Sequence, residues 1–376
     1  MKNILKRILV KGILSYEPLF RALRALLFDD RVYDKILSDD ALSTRIFSYD
    51  HACDRILSDM RILEKILADE RIANRGPLYK RLLATIEFHQ AWQAVRPFVQ
   101  ADSVDMTLRY QAAQAKSRRG NRDVRNLILD VICEDGKVLL ANGVMKFPDR
   151  HSLWTLIHEI LINEDYYFET NTDAPRILDC GTHFGLAIYY FKSLYPQARI
   201  TGFEPVPALR ELALENARRN GYRDVEILPY ALSDVDKVTT FIVSNTDSMA
   251  GSLTKRRRVA GDEVSEIEVE CRRLSEFLQE PVHFLKLDIE GSEDVVLAEA
   301  EAFLGNVQHL FCEYHHGMGL DSDRLGKILL LLNRAGFEVQ VGKSFCHQRS
   351  SMHRPATFVD QPYSAVLWAK NRTWKY

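Results

Sequence analysis

Apolar and polar positions alternate in three unlike ways along this chain. From Asp30 the pattern repeats in tens, DRVYDKILSD, DALSTRIFSY, DHACDRILSD, MRILEKILAD, with a basic residue at Lys35, Arg45, Arg55 and Lys65 before each apolar pair. Within one decamer the apolar positions, such as Val32, Tyr33, Ile36 and Leu37, make a single helical face. At about 100° per residue, that face turns by roughly 80° from copy to copy, so one long helix would carry its stripe round to solvent. Short helices capped at Ser and Asp bury the stripes better, which predicts a small helical solenoid over residues 18–76. Two uses stand for it: support for the rest of the chain, or a docking surface for a partner or a substrate chain. Residues 1–28 set Lys2, Lys6, Arg7, Lys11, Arg21 and Arg24 among leucines and isoleucines, a pattern for packing on the repeats or for resting on a membrane surface.

Gly76-Pro77 ends the repeats, and residues 77–125 read as a helical linker finishing in the basic run KSRRGNRDVR. A hairpin is expected next, with Leu127–Cys133 and Lys137–Leu140 as strands around Asp135-Gly136. Residues 151–169 show helical periodicity.

From Arg176 strands and helices alternate. Strands are expected at Ile177–Asp179, Ile200–Phe203, Val225–Tyr230, Phe284–Leu287, His309–Glu313, Glu338–Val341 and Ala365–Ala369. Helices are expected at Gly185–Leu194, Pro207–Asn220, Ser292–Ala302 and Asp323–Ala335. This alternation predicts an α/β domain over residues 126–376, a doubly wound and mostly parallel sheet, beside a small all-α repeat region at residues 1–76. Ligands of such sheets sit at the carboxyl ends of the strands.

Three motifs fall at those ends. Asp179-Cys180-Gly181-Thr182-His183-Phe184-Gly185 is a strand-to-helix turn with two glycines, which let backbone approach a ligand closely. Glu204 ends the next strand, where a carboxylate can accept both ribose hydroxyl hydrogens. Lys286 to Glu293 (KLDIEGSE) ends another strand in acids and a glycine. No GxGxxG is present, so a pyrophosphate cofactor and a nicotinamide oxidoreductase are disfavoured. An acid before the turn suits S-adenosylmethionine, whose amino-acid end is cationic.

The chain has 376 residues, 46% of them hydrophobic, and a net charge of −2, which gives no global case for nucleic acid as a partner. Six scattered cysteines without a CxxC pair read as free thiols. The basic residues near the start leave no signal-peptide core, and no stretch reaches the roughly 20 apolar residues of a membrane span. A cytoplasmic protein is expected.

DCGTHFG, FEP at Phe203–Pro205 and KLDIEGSE together resemble the FkbM-type methyltransferases of the class I, Rossmann-like fold, over roughly residues 126–370. Thr182 and His183 depart from the family's Ala and Asn. The resemblance implies that Asp179, Gly181 and Gly185 shape the methionine pocket and Glu204 binds ribose. It puts a turn at Ala231–Asp234, including Leu232 and Ser233, beside the adenine, and Asp288 near the sulfonium. His183 is expected to touch the cofactor. The methyl acceptor it implies is a hydroxyl, of a sugar in a glycan or glycolipid or of a polyketide-like molecule; a silent cofactor fold used as a scaffold is the contrasting reading.

Transfer to a hydroxyl needs a base. Asp288, Glu290 and His315 are the catalytic candidates, with Glu293 and Glu313 nearby. Glu293 also suits the start of the following helix. No metal is expected, because His315 and His316, as strand neighbours, point to opposite faces. The polar stretch Ser244–Ser248 with Ser252 is placed to meet a hydroxylated acceptor, and Lys255–Arg258 to meet solvent or an anionic one.

Overall fold

The computed structural model describes residues 76–118, 123–244, 248–249, 251–253, 264–316, 323–346 and 363–376. The decapeptide repeats, the basic N-terminus, Asn245–Asp247 and Lys255–Arg258 lie outside the described residues. The chain divides into two compact units, Met1–Cys133 and Glu134–Tyr376.

In the first unit three helices pack on one another: α1 (Gly76–Val95), α2 (Val104–Arg118) and α3 (Val124–Ile132). Phe88, Trp92 and Met106 are buried, and the Tyr110 ring lies 5.6 Å from Phe88 and 5.0 Å from Trp92. Of the strand expected over Leu127–Cys133, Leu127–Ile132 is therefore helix, and only Cys133 is extended. Asp123 caps α3 by accepting from the Asn126 amide at 3.2 Å, and Leu127, Ile128, Leu129, Val131 and Ile132 are all buried. An apolar run this dense suits a buried helix as well as a strand, and the cap decides. Packing of α3 on α1 and α2 also moves the unit boundary from the expected position after residue 125 to one after Cys133.

In the second unit Asp135 (φ 48°) and Gly136 (φ 71°) do form a tight turn. The hairpin it leads into joins β1 (Lys137–Leu140) to β2 (Gly143–Lys146). Helix α4 (Arg150–Leu156) continues as a π-helical turn, Ile157–Ile162. The expected helix to residue 169 stops there, because Asn163 closes back on His158 and Asp165 on Glu159.

Strands β3 (Arg176–Cys180), β4 (Arg199–Phe203), β5 (Val225–Leu228), β9 (Val282–Leu287) and β10 (Val307–His316) pair in parallel. Two more strands, β11 (Phe337–Cys346) and β12 (Tyr363–Asn371), extend one side in the order β11-β12-β10-β9-β3-β4-β5; β12 runs antiparallel to both its neighbours, so β11 again follows the direction of the parallel strands. Helices α5 (Leu186–Leu194), α6 (Pro207–Arg219), α7 (Glu293–Ala300) and α8 (Arg324–Arg334) connect them. This is the doubly wound α/β sheet of the class I methyltransferase fold. The central strands read as mostly apolar runs because both their faces are covered. Leu178, Leu285, Leu287 and Leu310 pack with Val296, Leu297, Ile328 and Leu332 in one core cluster. Phe168, Phe191 and Phe284 stack together elsewhere in the unit, 4.7 to 6.3 Å apart.

Between β5 and β9 the structure adds a three-stranded sheet of β6 (Tyr230–Ser233), β7 (Lys237–Ser244) and β8 (Val264–Arg273) in the order β6-β8-β7. The turn expected at Ala231–Asp234 is thus strand β6, pairing in parallel with β8. The chain steps outward from β3 through β4 and β5, then returns to the other flank of β3 with β9. That reversal puts the switch point at the carboxyl ends of β3 and β9.

Candidate active site

The loop after β3 is shaped by backbone that only glycine tolerates in one place. Gly181 has φ +90°, and a Cβ there would stand 1.9 Å from the Asp288 carbonyl oxygen. The two strand ends therefore touch through bare backbone, and the Asp288 amide donates to the Cys180 carbonyl at 3.1 Å. The Gly181 and Thr182 amides both donate to the Phe203 carbonyl, at 3.1 and 3.0 Å, folding the loop over the end of β4. This brings the His183 amide to Glu204 Oε2 at 2.8 Å, while the Val206 amide reaches Oε1 at 2.9 Å. Glu204 is only 5% exposed, and burial pushes its carboxyl up to about 7.

A cavity of about 860 Å³, counted out to its open mouth, lies along these strand ends. Gly181, His183, Glu204, Leu232, Asp288 and Glu290 all border it. Val206, Ala231, Phe241 and Leu253 pack together as an apolar slot, which Leu209 also lines; Leu156, Ile160 and Tyr166 line the cavity too, with Lys286 Nζ 5.7 Å from the Tyr166 ring centre. Ser248 and Met249 also border it. Ser252 is buried and donates to the Glu290 carbonyl at 2.7 Å, so it holds the strand end in shape.

Four candidate residues do not line the cavity. Asp179 is fully buried beneath the loop, and the cation it faces is Lys286, 3.4 Å away. Gly185 is the left-handed residue before α5, packed with its Cα toward Ala213. Ser233 is buried and donates to Asp234 at 3.0 Å. His315 stands behind Glu290, its Nε2 3.7 Å from the Glu290 carboxylate.

Lys286 is the residue whose role sequence patterning missed. It is 3% exposed on β9, donates to the Gly181 carbonyl at 2.5 Å, and lies 3.4 Å from Asp179 and 3.6 Å from Asp288. Burial opposes its charge, but Asp179 and Asp288 outweigh that and hold it protonated. Burial raises Asp288 to about 7 despite Lys286. One ammonium thus bridges two strand-end acids; the signal available was its place in an otherwise apolar strand.

Beyond Asp288 the acids gather. Glu290 (φ 63°) and Gly291 (φ 118°) turn the chain into α7. Glu293 is fully buried and turned away from the cavity. It accepts from the Gly291 amide at 2.8 Å and contacts His315 Nδ1 at 3.1 Å. His315 Nε2 lies 3.5 Å from Glu313. Burial alone would discharge this imidazole, but Glu290 and Glu293 outweigh it, so His315 is cationic and offers no lone pair for proton removal. His316 turns the other way, stacked on Tyr363 and bonded to the Tyr314 hydroxyl at 2.9 Å. Glu159, on the π-helical turn, is pushed up to about 9 by burial and then by Glu313 and Asp288, and sequence patterning missed it too. π-turns of this kind recur at functional sites.

A polar chain closes the cavity's remaining side. Ser248 Oγ donates to Asp149 Oδ2 at 2.6 Å and sits 3.0 Å from His183 Nε2. With its one proton committed to the carboxylate, Ser248 accepts from Nε2–H, which fixes the His183 tautomer. Burial holds that imidazole down at about 4, hence neutral.

Fold and topology together define an α/β domain of the class I methyltransferase type. Residues 179–339 match the family model described as "Methyltransferase FkbM domain", so this part of the chain is an FkbM-type methyltransferase domain. "Methyltransferase 1" of Beauveria bassiana is 29% identical over 158 residues, 37% of this chain and 64% of that protein. "Methyltransferase sdnD" of Sordaria araneosa is 28% identical over 171 residues, 37% of this chain and 65% of that one. "AMB antimetabolite synthetase AmbE" of Pseudomonas aeruginosa is 27% identical over 223 residues, 49% of this chain and 10% of the synthetase. The matches thus span just under two thirds of the two methyltransferases and a tenth of the synthetase. A domain of this family calls for a methyl donor.

Proposed function

We propose that the chain is an O-methyltransferase using S-adenosylmethionine, with a sugar hydroxyl of a glycan or glycolipid as acceptor. The observation that carries the reading is the buried Glu204 carboxylate, held at the cavity wall by two backbone amides. Its oxygens keep further lone pairs for the two ribose hydroxyls. The apolar slot of Val206, Leu209, Ala231, Leu232 and Phe241 suits an adenine ring. Gly181, backed by Lys286, and Asp288 suit the carboxylate and the charged amino and sulfonium groups of the methionine end. His183 lines the same wall, and its neutral ring favours hydrogen bonding over proton transfer.

When bound, S-adenosylmethionine supplies an electrophilic methyl on a sulfonium. The chain's part is to hold the acceptor oxygen in line at about 3 Å and to take its proton. Glu290 is the base best placed for this, since it borders the cavity and has cationic His315 beside it to orient it. Asp288 stabilises the positive methionine end, and His315 acts through Glu290. A natural-product hydroxyl is the second acceptor class, favoured by the match to an antimetabolite synthetase.

Incubating the chain and donor with glycan fractions, and separately with small hydroxylated metabolites, tests the acceptor. Mass spectrometry should show the gain of one CH2 equivalent on a glycan hydroxyl. Methylation confined to small molecules would replace the sugar reading.

A further inference from the structure

Tyr166 is 1% exposed and borders the cavity, so the little surface it keeps faces that space. Its ring meets Phe311 edge-on at 4.6 Å, stacks on Phe191 at 6.1 Å and carries the Lys286 ammonium 5.7 Å from its centre. The backbone around it is pinned. The Asp165 amide donates to the Glu159 carbonyl at 3.0 Å, the Asp165 carbonyl accepts from Trp368 Nε1 at 2.8 Å, and the Tyr167 amide donates to the Glu164 carbonyl at 2.9 Å. Only the hydroxyl is uncommitted, with no hydrogen-bond partner among the described residues. Buried phenols ordinarily find one. Burial, and then Asp288, Glu159, Glu313 and Asp179, hold this phenol protonated, so it stands ready as a donor.

The other donors around it are spent. Lys286 is the one cation among the described residues that border the cavity, His183 being neutral. Its ammonium has three protons. They face the Gly181 carbonyl at 2.5 Å, the Cys180 carbonyl at 3.4 Å and Asp179 at 3.4 Å. The Gly181 and Thr182 amides donate to Phe203, the His183 amide to Glu204 and the Asp288 amide to Cys180. An anionic group drawn in by the Lys286 charge therefore still needs a hydrogen-bond donor. We propose that the Tyr166 hydroxyl donates to the carboxylate at the methionine end of S-adenosylmethionine, with Lys286 as counter-charge. Asp288 is left for the ammonium, so the wall recognises both charges of the amino-acid group. The assignment rests on the methyl-donor reading above and adds a residue to it.

The test is calorimetric titration of the full chain with S-adenosylmethionine and with its decarboxylated form, which keeps the sulfonium and the amine but lacks the carboxylate. The parent chain should bind the decarboxylated form at least about tenfold more weakly. Tyr166→Phe leaves the ring on Lys286 and removes only the hydroxyl. It should weaken S-adenosylmethionine by about tenfold and bind the decarboxylated form as the parent does. Circular dichroism checks that the variant folds; if it does not, the parent's comparison of the two ligands still decides. Equal affinity of the parent for both ligands, or undiminished S-adenosylmethionine binding by the folded variant, overturns the assignment. A variant weakened alike for both ligands overturns it too, because the hydroxyl then serves another group or the packing alone. A parent chain that binds neither ligand overturns the methyl-donor reading itself, whereas one that binds S-adenosylmethionine but fails these comparisons loses only the role of Tyr166.

Discussion

The two flanks of the switch point handle buried carboxylates in opposite ways. On the β4 flank Glu204 is held by neutral dipoles, the amides of His183 and Val206, and its lone pairs still face the cavity. On the β9–β10 flank Asp288, Glu290, Glu293 and Glu313 are held by charges, through Lys286 and His315. Amide-held acid suits recognition of a neutral, hydroxyl-bearing group, because the site keeps its shape with or without a ligand. Charge-held acids suit chemistry, because each proton or cation that moves alters its neighbours.

Breaking the charged flank should cost most. Lys286→Met strands Asp179 and Asp288 without a counter-charge, and removing one partner of a buried pair costs about 3–5 kcal/mol in chemical unfolding. Adding Asp179→Asn should recover part of that loss; strict additivity of the two changes would contradict the pairing. Gly181→Ala comes next. It forces a Cβ against the Asp288 carbonyl at a left-handed φ, and about 1–3 kcal/mol of stability should go together with donor binding. Intact donor affinity in a folded Gly181→Ala chain would show that the strand ends need not touch.

The neutral flank should respond to pH. Glu204 lies at about 7 in the fold against an ordinary 4.5, so its folded form holds a proton that the unfolded chain has already released. Its stability contribution is therefore full below the ordinary value and lost as pH rises through about 7. Recognition of ribose runs the other way, since accepting two hydroxyl hydrogens needs the ionised form. Donor affinity should rise roughly tenfold from about pH 6 to about pH 8 through this group, and Glu204→Gln should flatten that component and weaken binding. Ser248→Ala is the smallest break. It frees His183 from Asp149, and about 1 kcal/mol, seen as a few-fold loss of donor affinity, is expected.

The central parallel strands were legible because they are largely apolar, and three of them end at an acid, Asp179, Glu204 and Asp288. The second sheet was not, because β7 and β8 read as mixed polar strands, exposed along much of their length. Leu127–Ile132 misled because a dense apolar run does not choose between helix and strand, and the Asp123 cap that chooses was not weighed. Within the site, sequence could place Asp179 and Glu293 at strand and helix ends but not say which way they turn. Their buried partners, Lys286 and His315, lie 107 and 22 positions away in the chain. Such pairings are fixed by strand register, as that of β9 with β3 shows. Glu159 was hidden for the same reason, its shift being set by burial in the fold and then by Glu313 and Asp288 far along the chain.

The central claim is that the cavity between Glu204 and Asp288 receives S-adenosylmethionine. Calorimetric titration of the full chain tests it most directly, with S-adenosylmethionine and NAD in parallel cells and Glu204→Gln as the third. The account predicts saturable binding of one S-adenosylmethionine per chain, no heat from NAD, and clearly weakened binding in the variant. Binding of NAD, or a silent titration with S-adenosylmethionine by the folded chain, would contradict it.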